Sequence, residues 1–119
     1  MSAAREAILR YFREPPRLTV EDLGVLFRTG GEEVFLEAAD VVEITPPLPI
    51  SSLPASPHGV AFWRGRALEV RGVPSRARHL VLVRGRTQDF FVVAEDRPSA
   101  VSRADVPGTV LYRERHGQR

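Results

Sequence analysis

The sequence predicts a mainly β domain made of small barrels, preceded by one short helix. Three observations carry this prediction. Apolar spacing switches from helical to alternating after residue 24, glycines punctuate short β-rich runs, and one proline-rich stretch has no periodicity at all. Many short strands with turn signals at close intervals point to small barrels rather than to a parallel sheet.

Residues 3–14, AAREAILRYFRE, place Ala4, Ala7, Ile8, Tyr11 and Phe12 at helical spacing, with arginine and glutamate opposite. Pro15 and Pro16 stop this helix because proline has no N–H to donate and clashes with the preceding turn. A helix over residues 1–16 and a single domain over 17–119 are therefore expected. From residue 24 the period becomes two: VLFRT, Gly30-Gly31 and EVFLEA read as a tight hairpin, since paired glycines accept the positive φ that such turns need. ADVVEI continues as a short turn and a strand. Residues 45–58, TPPLPISSLPASPH, hold five prolines and read as an extended, semi-rigid loop. A linker between domains is the competing reading, but each flank is too short to fold alone.

Two further pairs of β-rich runs follow, each around one glycine: GVAFW and ALEVRGV about Arg64-Gly65-Arg66, then HLVLV and TQDFFVVAE about Arg84-Gly85-Arg86. Both read as hairpins. Alternation predicts that one member of each aromatic pair, Phe62/Trp63 and Phe90/Phe91, points inward. Asp89, Glu95 and Asp96 are then hairpin ends. AVSRADV reads as a short strand or helical turn, and GTVLYRERHGQR as at most one more strand with a polar tail.

Composition excludes several chemistries. There is no cysteine, hence no disulfide, thiolate metal site or cysteine nucleophile. His58, His79 and His116 share no metal-ligand spacing, the serines lack a nucleophile elbow, and no phosphate-binding glycine loop is present. No enzyme, no cofactor and no metal is expected. No run is long enough to span a bilayer, so no membrane insertion and a cytoplasmic location are expected.

All 17 basic residues are arginine, which lifts the pI to about 9.9 although the net charge is only +2. Residues 1–58 carry five Arg against nine acids, a net of −4; residues 59–119 carry twelve against six, a net of +6. Phosphate binding needs clustered excess charge, so this is a weak nucleic-acid signal. The Arg-Gly-Arg turns beside Phe62 and Trp63 still leave one alternative open: a small barrel binding single-stranded nucleic acid by stacking and phosphate contacts.

The order of elements in residues 24–107 resembles CheW-like domains, the adaptors of bacterial chemosensory arrays. The resemblance rests on an apolar strand (Val25 to Phe27), a glycine turn (Gly30-Gly31), Phe35, and the Val-x-Glu-Ile segment Val41 to Ile44. It continues through a loop with Pro54 and Pro57 and the Gly-Val-x-x-x-Arg-Gly segment Gly59 to Gly65. It implies two intertwined five-stranded, SH3-like barrels, the first over 17–73 and the second over 74–119. It also implies a non-catalytic role in chemotaxis signal transduction: binding a CheA-type histidine kinase and a methyl-accepting chemoreceptor, with no nucleic-acid partner. The implied partner-binding residues are Val41, Glu43, Gly59, Arg64 and Gly65. Glu43 and Arg64 can equally pair with each other and brace the barrel. The chain departs from the pattern at Glu69, Arg71 and Gly72, in the short connection PSRAR, and in the shortened segment after Val106. An incomplete second barrel is the expectation, its open edge covered by a partner, a second copy or the N-terminal helix.

Overall fold

The computed structural model describes residues 22–52 and 58–112. The helix expected over 1–16 and the two loop prolines Pro54 and Pro57 lie outside these residues. The described chain forms ten strands: β1 (Leu23–Thr29), β2 (Glu32–Glu37), β3 (Val41–Thr45), β4 (Ser51–Ser52), β5 (Gly59–Trp63), β6 (Arg66–Arg71), β7 (His79–Val83), β8 (Phe90–Ala94), β9 (Ser99–Ser102) and β10 (Val110–Leu111). Three short 3-10 turns interrupt them at Ala38–Asp40, Pro74–Arg76 and Arg103–Asp105.

The strands make two sheets, a four-stranded one in the order β10-β2-β1-β9 and a six-stranded one in the order β3-β7-β8-β6-β5-β4. Both are mainly antiparallel, with parallel pairings of β10 with β2 and of β6 with β8. The resemblance implies five strands in each barrel; the ladders run four and six. The boundary at 73/74 marks chain order only, because each sheet takes strands from both sides of it.

The reason lies in β7 and β8. Their runs HLVLV and FFVVA are apolar at nearly every position, the pattern of strands covered on both faces. Val81, Val83, Phe90, Val92 and Ala94 face a core shared with Val25, Phe27, Val34 and Leu36 of the four-stranded sheet. Leu80, Leu82, Phe91 and Val93 face a second core with Ala61, Leu68 and Val70. Phe90 and Phe91 are therefore both buried, at 3% and 0% exposure, which corrects the expectation that one of them points outward. For the other pair that expectation holds: Phe62 is 71% exposed, and Trp63 packs against the second core.

The six-stranded sheet coils back towards itself. Laid flat, its edge strands β3 and β4 would stand about 24 Å apart. Only residues 46–50 join them, and that connector reaches at most about 21 Å when fully extended. The proline-rich stretch thus works as a strap: Leu48 and Ile50 dip into the second core, and Ser51–Ser52 add the short strand β4. The reading of residues 45–58 as loop alone is corrected by this strand.

The first hairpin is locked to the end of β8. The Gly30 and Gly31 amides donate to the two Glu95 carboxylate oxygens at 2.8 and 3.2 Å, and the Arg28 amide donates to Asp96 Oδ1 at 2.8 Å. Glu95 in turn donates its amide to the Arg28 carbonyl at 2.7 Å. Arg71, where the chain departs from the family pattern, is accommodated by stacking 3.8 Å over the Phe90 ring and pairing with Glu69.

Candidate functional site

The β5–β6 hairpin turns on Arg64 and Gly65, with φ of 49° and 77°. Two successive left-handed residues are the signature of a type I′ turn, whose twist suits a two-residue hairpin. Glycine takes this conformation freely. Arginine does not, at a cost of roughly 1–2 kcal/mol for a residue with a Cβ. Arg64 is the one non-glycine residue with positive φ among the described residues.

Its side chain completes a column. The guanidinium lies 5.2 Å from the Trp63 ring centroid, and Nη2 donates to Glu43 Oε1 at 3.2 Å. Trp63 in turn meets Phe91 edge to face at 6.3 Å. The Arg64 side chain is 74% exposed and that of Glu43 34%, so this ion pair is worth at most about 1 kcal/mol. The pair does not lie between neighbouring strands. Glu43 sits on β3, four positions from β5 in the sheet order, and the coiling of the sheet brings them together.

A bulge aims Glu43. The register of β3 against β7 shifts between Val41, opposite Val83, and Glu43, opposite Leu82. Strand alternation would otherwise keep Val41 and Glu43 on one face; the extra residue sends them to opposite faces. Val41 packs against the inter-sheet core, and Glu43 turns towards Arg64. The bulged residue Val42 is left 42% exposed next to Glu43, whereas Ile44, 40% exposed, faces the other way with Val41.

The five residues expected at a partner site thus separate. Glu43, Arg64 and Gly65 converge on one exposed turn. Val41 is half-buried and turned inward. Gly59 is buried, and a Cβ there would stand 2.4 Å from Ile50 Cγ2, so it serves close packing of the proline strap. Sequence reasoning missed Val42, because nothing in VVEIT announces the bulge. The second Arg-Gly-Arg is not a second turn of the same kind. Residues 84–89 form a six-residue loop without positive φ, which corrects the reading of Gly85 as a hairpin pivot.

Among the described residues no group of three His, Asp or Glu side chains is placed to hold a metal, and no helix is long and apolar enough to cross a membrane. No family model matches the chain, and no curated protein matches it by sequence. Among solved structures, the scaffolding protein TtCheW from Thermoanaerobacter tengcongensis superposes with a TM-score of 0.60 at 17% identity, over 72% of this chain and 64% of that one. The chain therefore spans just under two thirds of the length of TtCheW. At this identity the likeness concerns architecture, and the chain has a mainly β, CheW-like fold.

Proposed function

We propose that this chain is a non-catalytic, cytoplasmic adaptor of chemotaxis or motility signalling. It couples a chemoreceptor-type protein to a CheA-type histidine kinase through protein–protein contact, with no cofactor. The observation that carries this reading is the exposed Glu43–Arg64–Trp63 column, built on a turn whose backbone disfavours arginine. Strain held at an exposed polar site is a pointer to function. Arginine over an aromatic ring beside an exposed aliphatic group is also the composition of a binding hot spot, and Val42, next to Glu43 on β3, supplies that group. The likeness to a scaffolding protein supports the same reading.

Within this proposal Glu43, Arg64 and Gly65 form the docking turn with Val42, while Val41 and Gly59 shape it from within. A pull-down with the wild-type chain against the histidine kinases and receptors of its own cell tests the proposal. Retrieval of a kinase or receptor by wild type, and its loss with Arg64→Asn, is the expected result. Retrieval of neither by a folded wild-type chain overturns it. The nucleic-acid alternative gains nothing from the fold, since the two Arg-Gly-Arg segments differ in backbone geometry and do not make a matched pair of turns.

A further inference from the structure

The four-stranded sheet buries apolar side chains on both faces. One face is the inter-sheet core, formed by Val25, Phe27, Val34 and Leu36. The alternate residues Leu26, Phe35, Val101 and Leu111 point the other way, as the register of Leu26 with Phe35, Gly24 with Val101, and Leu111 with Phe35 requires. Yet Phe35 is 1% exposed and Val101 2%. The Phe35 ring lies across the β1 backbone, so that a Cβ on Gly24 would stand 2.3 Å from Phe35 Cζ. Outward-facing apolar groups in the middle of a sheet lose their water only beneath a further layer.

Part of that layer is the connection 103–109. It joins β9 and β10 at opposite edges of the sheet and so crosses this face, placing the Arg103 guanidinium 5.0 Å from the Phe35 ring centroid. It is a thin cover: none of Arg103–Asp105 is itself buried.

We propose that the N-terminal segment 3–14 of the same chain forms the rest of the layer, laying Ala4, Ile8, Tyr11 and Phe12 against Leu26, Phe35 and Leu111. Three observations carry this. The segment is amphipathic at helical spacing, with arginine and glutamate left for solvent on its other side. As a helix its twelve residues are about 18 Å long, enough to cross a four-stranded sheet about 14 Å wide. The tether also has the right origin and reach. β1 begins at Leu23 opposite Ser102, where the crossing connection also starts, and Pro15 to Asp22 spans up to about 25 Å. A segment of the same chain needs no concentration to find this face, which favours it over a second copy.

The chain contains no cysteine, so introduced pairs report without background. The pairs Ile8→Cys with Leu26→Cys, and Tyr11→Cys with Leu111→Cys, are oxidised at low protein concentration and run on a non-reducing gel. Ile8→Cys with Phe62→Cys is the control, because Phe62 faces solvent from the other sheet. An intrachain cross-link well above the control supports the proposal. Predominant interchain dimers assign the face to a second copy and overturn it, as do cross-links no higher than the control in a folded chain. Hydrogen exchange gives a second readout. Amides of residues 4–14 are expected to exchange about tenfold or more slowly in wild type than in Leu26→Asp, with β7 and β8 protected in both. Equal exchange over 4–14 in the two proteins overturns the proposal.

Discussion

Replacing Arg64 by asparagine separates a docking role from a bracing role, because the two roles predict opposite balances of stability and binding. The substitution removes an ion pair of 3.2 Å between side chains 74% and 34% exposed, worth about 0.2–1 kcal/mol. It also removes the contact of the guanidinium with the Trp63 ring at 5.2 Å, about 0.5–1 kcal/mol at an exposed site. Against these losses stands the turn. Asparagine is a preferred residue before glycine in a type I′ turn, and most of the roughly 1–2 kcal/mol held in the left-handed arginine returns. The terms nearly cancel, and the net change lies within about 1 kcal/mol of zero. For a domain of this size that shifts Tm by no more than about 5 °C. Binding has no such compensation, because asparagine offers neither the charge nor the reach of arginine. Loss of a hot-spot arginine is expected to weaken partner affinity at least about tenfold, or 1.4 kcal/mol. Thermal unfolding by circular dichroism and titration calorimetry against the captured kinase or receptor measure the two quantities. A drop in Tm of about 10 °C or more would show that Arg64 braces the fold. Unchanged affinity in a folded Arg64→Asn protein would refute the docking assignment.

Three further outcomes are expected. Glu95→Ala removes both acceptors of the Gly30 and Gly31 amides and should cost about 1–3 kcal/mol in urea unfolding; a loss below 0.5 kcal/mol would mean that the latch to β8 carries no stability. Gly59→Ala drives a Cβ into Ile50 and should cost about 1–3 kcal/mol, partly recovered in the double variant with Ile50→Ala; strictly additive effects would exclude the clash as the cause. Gly65→Ala, at a φ of 77°, should destabilise by about 1 kcal/mol through backbone strain alone, since open space surrounds its Cβ position. Gly85→Ala meets no left-handed strain, and equal losses at the two sites would contradict the difference between the two Arg-Gly-Arg segments.

Local rules made the hairpins legible. Gly30-Gly31 and Gly65 lie where two strands reverse, because few residues other than glycine accept that backbone cheaply, and the alternation beside them marks the strands. Exclusion of cysteine chemistry is equally local, since it needs only a residue count. The candidate site was half legible. Glu43 and Arg64 are prominent in the sequence, but their meeting depends on a bulge at Val42 and on a sheet that coils because five residues must join its two edges. Neither property belongs to any short window of residues.

Burial on both faces of β7 and β8 follows the same logic. FFVVA is apolar at every position, the pattern of a strand covered on both faces, but which segments cover each face is decided only when the two sheets pack. Glu95 likewise looks like an ordinary strand end, and only the arrival of the β1–β2 turn from far along the chain makes it a ligand for two backbone amides. By itself the sequence determined where the chain turns and which residues prefer strands, since those preferences are set by each residue's own φ, ψ and Cβ. The tertiary structure decided register, layering and which charged groups meet. Those depend on contacts between distant segments whose energies exist only once the sheets have closed over their cores.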